Sequence, residues 1–312
     1  LLADLQYRYV SYQAWGVNDN YVSEEVGMQP IDVDKQYHFF NPRAGVSYTL
    51  AERNNFYLSF AVAQKEPTRS DFTDRYKFAA DDTYPSSEKL YDWELGYQYT
   101  APRLSLGVNL YYMKYKDQLV PTGMVNDDSN ALNTNVPDSY RRGVELSASW
   151  RATGWFTVGA NATFSQNRIE NYVDALKDSP TYGKELGDMT IAYSPDVIAN
   201  AFLNFHHRGF EAVFHTQHVG KQYFTNNEND ALSLDAYCVT NLNLAYTFRT
   251  RTARSVRLGL LINNLFNAEY ESNGYGYSYM DTWSGPAPVR IDEAYYFPQA
   301  PLNVLANVTV KF

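Results

Sequence analysis

Hydrophobic and polar residues alternate most regularly over the last twelve residues of the chain, 301–312. Every second position from Leu302 to Phe312 is apolar, and the positions between them are Asn, Thr and Lys, with Leu305 as the exception. Because successive side chains of a β-strand point to opposite faces, this pattern predicts a strand with one apolar and one polar side. The alternation alone leaves open whether the apolar side faces a protein core or lipid.

The same period of two recurs along the whole chain and predicts an all-β fold. In the segment 156–164, Phe, Val and Ala alternate with Thr, Gly and Asn. Small and polar residues repeatedly occupy the second face, which favours a solvated or protein-filled lumen over a dry core. Twelve strands are predicted, near residues 1–12, 37–49, 54–63, 88–100, 103–118, 140–151, 154–166, 195–206, 209–222, 236–249, 254–267 and 301–312.

The connections between these predicted strands alternate between short turns, such as 50–53 and 206–209, and long segments. In an antiparallel meander alternate connections lie at the same end, so all the long ones share one end. Outer-membrane barrels have this design, with short periplasmic turns and long extracellular loops. We therefore predict a transmembrane up-and-down barrel with Phe312 on the periplasmic side. The long connections lie near 13–36, 64–87, 119–139, 167–194, 223–235 and 268–300.

Acidic residues concentrate in the long connections. The whole chain has a net charge of −9, whereas the six long connections together carry roughly −17 by the same count. A solvated acidic surface does not by itself indicate a cationic ligand. The absence of a basic stripe from an acidic sequence argues against a nucleic-acid partner.

The composition favours a membrane interface over a soluble core. Aromatic residues make up 16% of the chain, with 28 Tyr, 17 Phe and 5 Trp, and Tyr and Trp suit positions where one end of the side chain is apolar and the other wet. No run of 18 apolar residues occurs, which excludes transmembrane helices but leaves transmembrane strands. A single cysteine, Cys238, excludes an intrachain disulfide framework.

The first ten residues, LLADLQYRYV, already alternate as a strand does. They contain no initiator Met, charged n-region or cleavable apolar segment. We therefore expect the chain to be the C-terminal part of a longer protein.

Several short sequence motifs then resemble those of a known family. The segment LGLLINNLFNAEYESNGYGY (258–277) resembles the penultimate-strand signature of TonB-dependent outer-membrane receptors, and a final strand that ends in an aromatic residue resembles the C-terminal signal of outer-membrane proteins. Five upstream segments resemble successive barrel landmarks of the same family, in its order and spacing. These motifs are most similar to those of Bacteroidetes members of the family, of the iron-complex type. The landmarks are FNPRAGVSY (40–48), FAVAQKEPTRSDFTD (60–74), SSEKLYDWELGYQY (86–99), LYYMKYKDQLV (110–120) and SYRRGVELSASW (139–150).

The resemblance implies a 22-stranded barrel that is plugged by an N-terminal domain. Residues 1–312 would form its last twelve strands, and the plug, the first strands and the TonB-contacting segment would precede them. The implied partners are outer-membrane lipid and lipopolysaccharide, the plug and remaining strands of the same receptor, TonB, and a surface lipoprotein. The implied location is the outer membrane of a Gram-negative bacterium.

Two other classes remain open, because twelve strands could also close a complete small barrel. Such a barrel would be a passive porin or an outer-membrane hydrolase. The histidines give little support to catalysis or metal binding: His215 and His218 are three apart on a predicted strand, so they point to opposite faces. No His-x-Ser spacing of outer-membrane phospholipases occurs. We expect no enzyme activity, no cofactor and no resident metal.

An iron–siderophore complex is the first expectation for the imported solute, with haem and cobalamin as alternatives. Haem receptors carry a histidine that this chain lacks, since no His occurs between residues 39 and 205. Ferric siderophores are flat-faced and often anionic, so aromatic and arginine side chains at the barrel mouth would suit them. The predicted substrate-binding residues are Arg69, Arg75, Arg141, Arg142, Tyr275, Tyr277, Trp283 and Arg290.

Overall fold

A computed structural model of the chain describes residues 1–24, 27–73, 84–125, 131–176 and 178–312. The described part is almost entirely β-structure, with one five-residue helix, α1 (Arg69–Thr73). Among the described residues, no helix is long and apolar enough to cross a membrane. The strands are β1 (Leu2–Ser23), β2 (Gly27–Leu50), β3 (Asn54–Lys65), β4 (Glu88–Thr100), β5 (Leu104–Val125), β6 (Ala131–Arg151), β7 (Phe156–Ile169), β8 (Met189–Thr190), β9 (Val197–His207), β10 (Phe210–Val219), β11 (Gln222–Tyr223), β12 (Ser233–Leu234), β13 (Tyr237–Phe248), β14 (Ser255–Asn263), β15 (Glu271–Asp281), β16 (Val289–Pro298) and β17 (Asn303–Lys311).

Thirteen of these strands form one sheet in the order β1-β2-β3-β4-β5-β6-β7-β9-β10-β13-β14-β17, with the short β8 added to β7. Every neighbouring pair is antiparallel, and the order follows the chain, so the sheet is an up-and-down meander. Within the described residues, β1 and β17 each pair along one side only. The twelve predicted strands and the meander are thereby confirmed, in a sheet that is open at both edges.

The predicted strand ends were wrong at two hairpins. The strands β1 and β2 continue their ladder into the predicted connection 13–36, up to Ser23 paired with Gly27. Similarly, β5 and β6 continue into the predicted connection 119–139, up to Val125 paired with Ala131. The antiparallel backbone ladder satisfies the peptide groups of these segments, which a structureless loop would leave to water. The predicted connection 268–300 was also wrong as a plain loop, since it holds the hairpin β15–β16.

The register places the apolar positions of successive strands on one face of the sheet. Leu58 lies opposite Leu95, and Leu95 lies opposite Leu110. At the other edge, Leu258 on β14 lies opposite Val308 on β17. Since directly paired residues point to the same face, these positions form a continuous apolar surface, here called the outer face. Its residues are exposed despite their size, as lipid-facing residues of a barrel are.

The opposite face, here called the inner face, is polar. Asn109 lies opposite Glu145, and their side chains are hydrogen-bonded at 3.1 Å. Ser59 lies opposite Glu94 and donates to it at 3.4 Å. A polar inner face opposite an apolar outer face is the arrangement of a transmembrane barrel with a solvated or plugged lumen.

Aromatic side chains lie toward both ends of the outer face. Near the short turns, the ring centroids of Phe56 and Tyr97 are 4.8 Å apart. Toward the long connections, Trp93 lies 5.2 Å from Phe60 and 5.7 Å from Tyr112. Amphipathic rings at both borders of an apolar band match the aromatic girdles of membrane barrels.

The short turns all lie at one end of the sheet, as the sequence predicts. The connection between β9 and β10 is a two-residue turn in which Arg208 and Gly209 both have positive φ, 48° and 86°. A Cβ added at Gly209 would lie 2.3 Å from the carbonyl oxygen of Thr247 on the neighbouring strand. Glycine is therefore required at this turn both for its backbone conformation and for the close approach of β13.

Candidate functional site

At the end opposite the short turns, the long connections pack on one another through apolar clusters. The largest cluster joins the ends of β5, β6 and β7 to the connection 170–196. It consists of Val120, Val136, Ile169, Tyr172 and Ile191. A second cluster of Phe224, Leu232 and Leu234 packs against Ala294 of the hairpin β15–β16. Leu176 and Met280 form a third. These clusters give the packed long connections, here called the mouth, a hydrophobic core of their own.

Buried polar groups tie the connections together across the mouth. Asn226 is fully buried, accepts from the Ala192 amide at 2.7 Å and donates to the Pro121 carbonyl at 2.5 Å. One side chain thereby links β5 to two different connections. Glu228 accepts from Arg168 and from the amide of Thr190, the latter at 3.0 Å.

The pKa of Glu228 is below its usual value although burial opposes the charged form. Hydrogen bonds from Thr190 and the charge of Arg168 outweigh that burial. The ionised carboxylate is consequently the form that joins the two connections.

The inner face beneath this mouth contains a cavity of about 330 Å³. Arg141 reaches into it and donates to Ser194 at 2.8 Å and to Asn167 at 3.4 Å. Glu145 and Tyr193 also line the cavity. A single guanidinium among hydroxyl, amide and carboxylate groups makes this a polar site with mixed charge.

A second cavity, of about 570 Å³, lies between β6 and the connections 84–86 and 170–183. Asn133 donates to Asp71 of helix α1 at 2.9 Å on its wall. Burial raises the pKa of Tyr172, which also lines it, to about 12, and the charge of Asp174 adds to this shift. The lining is mainly neutral amides, hydroxyls and apolar groups. Among the residues that the structure describes, no group of three or more His, Cys, Asp or Glu side chains could hold a metal ion.

The hairpin β15–β16 has two different faces. Gly274, Ser278 and Met280 are buried on the face that packs against the connections. The other face carries Tyr275, which lies opposite Tyr295, and Tyr277, which lies opposite Glu293. The buried face fixes the hairpin, so the tyrosines project from a supported element.

The structure separates most of the predicted arginine sites from one another. Arg141 lies on the inner face, whereas Arg142 lies on the outer face, where it donates to Gln166 at 2.9 Å. Arg290 is on the packed face of its hairpin and donates to Asp292 at 2.8 Å. Arg69 is exposed on α1. Arg75 lies outside the described residues.

Tyr275 and Tyr277 are the predicted site residues that the structure does bring together, on the exposed face of the hairpin. Trp283 lies beyond them in the turn and is 78% exposed. Glu293 is not among the predicted site residues, yet it lies opposite Tyr277 and accepts a hydrogen bond from its hydroxyl at 2.7 Å. The period-two spacing of Tyr275, Tyr277 and Tyr279, in a segment predicted as a plain connection, is the signal by which this strand could have been found.

An open antiparallel meander with an apolar outer face, a polar inner face and one end of packed connections defines a transmembrane β-barrel protein. A family model described as "TonB dependent receptor-like, beta-barrel" matches residues 1–265. The chain belongs to this family of TonB-dependent receptors, whose members are outer-membrane proteins of Gram-negative bacteria.

Solved structures of two receptors and one transporter share the fold at low sequence identity. The ferric yersiniabactin uptake receptor FyuA from Yersinia pestis is 18% identical, with a TM-score of 0.64 over 92% of this chain and 39% of that one. The siderophore receptor PiuA from Acinetobacter baumannii is 14% identical, with a TM-score of 0.69 over 98% and 40%. The copper transporter OprC is 17% identical, with a TM-score of 0.70 over 98% and 44%. The chain spans about two fifths of the length of these structures.

Proposed function

We propose that this chain forms part of an outer-membrane receptor that imports a large, scarce solute by coupling to TonB. The observation that carries the proposal is the folded mouth above a polar inner face. Clusters such as Phe224 with Leu232, and clamps such as Asn226, hold the connections in a defined shape. A receptor that must recognise one solute needs such a shaped mouth, whereas a passive pore needs only an opening.

We propose further that residues 1–312 form the C-terminal part of the barrel, with a plug and additional strands of the same receptor beside them. Two sheet edges, β1 and β17, present backbone groups that in a membrane must pair with other strands. Lipid and lipopolysaccharide would contact the outer face. TonB would act through the plug and not through the residues described above.

A ferric siderophore complex is the first candidate solute, and haem and cobalamin are the alternatives within the same class. FyuA is named for the uptake of ferric yersiniabactin and PiuA as a siderophore receptor, which supports this choice, while OprC is named for copper. In this chain the inner cavity with Arg141 is the place where a negatively charged complex would meet a positive group.

The test is uptake of ⁵⁵Fe-labelled siderophores by cells whose full receptor is the only route for iron. We expect uptake that depends on TonB and that falls severalfold with Arg141→Ala. The matched control is Arg142→Ala, which removes the same charge from the outer face and should leave uptake near the wild-type level. Uptake that persists without TonB would contradict the proposed coupling. Equal losses in the two variants would contradict the role of the inner cavity.

A further inference from the structure

The exposed face of the hairpin β15–β16 carries a compact group of four tyrosines around one carboxylate. We call this group the tyrosine face and define it by Tyr275, Tyr277, Tyr279, Glu293 and Tyr295. The register of the hairpin puts all five side chains on the same side, away from the packed face. Tyr275 and Tyr295 are 42% and 44% exposed, so their rings are available to a ligand.

The rings of the tyrosine face lie side by side, and one pair of them is closely stacked. Tyr275 and Tyr295 have centroids 4.9 Å apart and planes inclined by 15°. Tyr277 lies 6.4 Å from Tyr295 and 6.4 Å from Tyr279. Such an array offers several π faces and edges side by side, which is the kind of surface that attracts flat groups and organic cations.

The hydrogen bonds on the tyrosine face determine its polarity. Tyr277 and Tyr295 donate to one oxygen of Glu293 at 2.7 and 2.8 Å, and Tyr279 donates to the other oxygen at 3.2 Å. A phenol has one proton, so three of the four tyrosines give theirs to the carboxylate. Their oxygens then retain only lone pairs toward a ligand. The same hydrogen bonds hold the pKa of Glu293 below its usual value.

The charges around the tyrosine face have one sign. Asp281 lies on the same side of the hairpin, opposite Val289. The one basic residue of the hairpin segment 271–298 is Arg290, which lies on the packed face and is paired with Asp292. An acidic mouth raises the local concentration of cations. The surface is thus aromatic, rich in acceptors and negatively charged.

We infer that the tyrosine face binds an ammonium or guanidinium group carried by the imported solute. The inference rests on the proposed function and narrows its substrate class to complexes with a cationic arm. The carboxylate of Glu293 and the phenol oxygens accept the protons of that arm, and the stacked rings cover its carbon atoms. An anionic complex would meet only repulsion at this face.

The test compares two probes that differ by one charge, with the purified full receptor. The first is the ferric complex of a linear trihydroxamate with a terminal ammonium, and the second is the same complex after N-acetylation. Binding is followed by fluorescence quenching for the wild type, for Glu293→Gln and for Tyr277→Phe. The control Glu185→Gln removes one carboxylate from an exposed position in the connection 170–196.

We expect the wild type to bind the ammonium form on the order of tenfold more tightly than the acetylated form. Glu293→Gln should abolish this preference, Tyr277→Phe should reduce it, and Glu185→Gln should retain it. If the wild type binds the ammonium and acetylated forms equally, or if Glu293→Gln and Glu185→Gln change the preference equally, the inference is overturned. Neither result contradicts the proposed receptor function.

Binding of neither ferric complex contradicts the ferric substrate of the proposed function. The wild type and Glu293→Gln are therefore also titrated with agmatine, a guanidinium probe without iron. Weaker agmatine binding by Glu293→Gln supports the tyrosine face as a cation site, and equal binding overturns the inference independently of iron transport.

Discussion

Replacing Asn226 by alanine should loosen the mouth of the barrel without disturbing its strands. In the wild type this buried side chain accepts from the Ala192 amide and donates to the Pro121 carbonyl. Alanine leaves both backbone groups buried without a partner, at a cost of about 1–3 kcal/mol each. Some water will enter, so we expect the connections to lose about 2–4 kcal/mol of local stability.

Hydrogen exchange on the full receptor measures this loss directly. A change of 1.4 kcal/mol is a factor of ten, so protection of the Ala192 amide should fall at least about thirtyfold. The matched control is Asn227→Ala, which removes the acceptor of the buried Thr225 hydroxyl but leaves the acceptor of the Ala192 amide in place, so protection of that amide should change much less. Protection at Ala192 that stays within about threefold of the wild type, or an equal loss in the control, would refute the clamp.

Three further predictions address the lipid face, the pH response and the turns. Leu260→Lys places a charge on the outer face and should lower the free energy of unfolding by about 2–4 kcal/mol in urea titrations in bilayers, whereas Leu261→Lys on the inner face should have a much smaller effect. The pKa of Glu228 is lowered in the folded state, so its contribution to stability is fully present above its usual value of 4.5 and is lost as the pH falls through the folded pKa. Protection factors in its connection, taken relative to the intrinsic exchange rate at each pH, should therefore fall on acidification, and Glu228→Gln should remove that dependence. Gly209→Ala should slow barrel assembly and destabilise the barrel by more than about 1 kcal/mol, as judged from heat-modifiable mobility. The control Gly154→Ala should have neither effect, because a Cβ added at Gly154 meets nothing within 4 Å.

The membrane-spanning part of the fold follows from the sequence because one simple rule governs it. Lipid on one side and a polar lumen on the other impose strict alternation on strands such as β7 and β17. Alternation fades where β2 leaves this environment: Gln29 and Val33 are both buried there, and Pro30 lies between them. A polar residue on the buried side and a proline in the strand hide the period of two.

The hairpin β5–β6 shows a second reason why strand ends escape prediction. Asp117 has a positive φ of 53°, a conformation that alternation does not encode. Beyond it, Val120 packs in the same cluster as Ile169, which lies opposite Ser139 on the inner face. The connections are shaped by such local conformations and by contacts between distant segments, which a single-sequence pattern does not contain.

The candidate site was predictable only in part. Residues an odd number of positions apart on a strand point to opposite faces. This rule separates His215 from His218, and it also separates Arg141 from Arg142. The structure separates both pairs in this way. By contrast, the partnership of Glu293 with the tyrosines depends on the register of the hairpin β15–β16, which lies in the predicted connection 268–300.

We propose above that this sheet is one part of a larger plugged barrel and not a complete twelve-stranded pore. It is tested most directly by disulfide crosslinking in the full receptor, after Cys238 has been replaced by serine. Cysteine pairs are scanned between the outer-face positions of β1 and β17, and the control pair is Leu258→Cys with Val308→Cys, which are opposed in the sheet. We predict crosslinking of the control pair and of no pair between β1 and β17. Efficient crosslinking between β1 and β17 would show that these strands close on each other and would rule out a larger barrel.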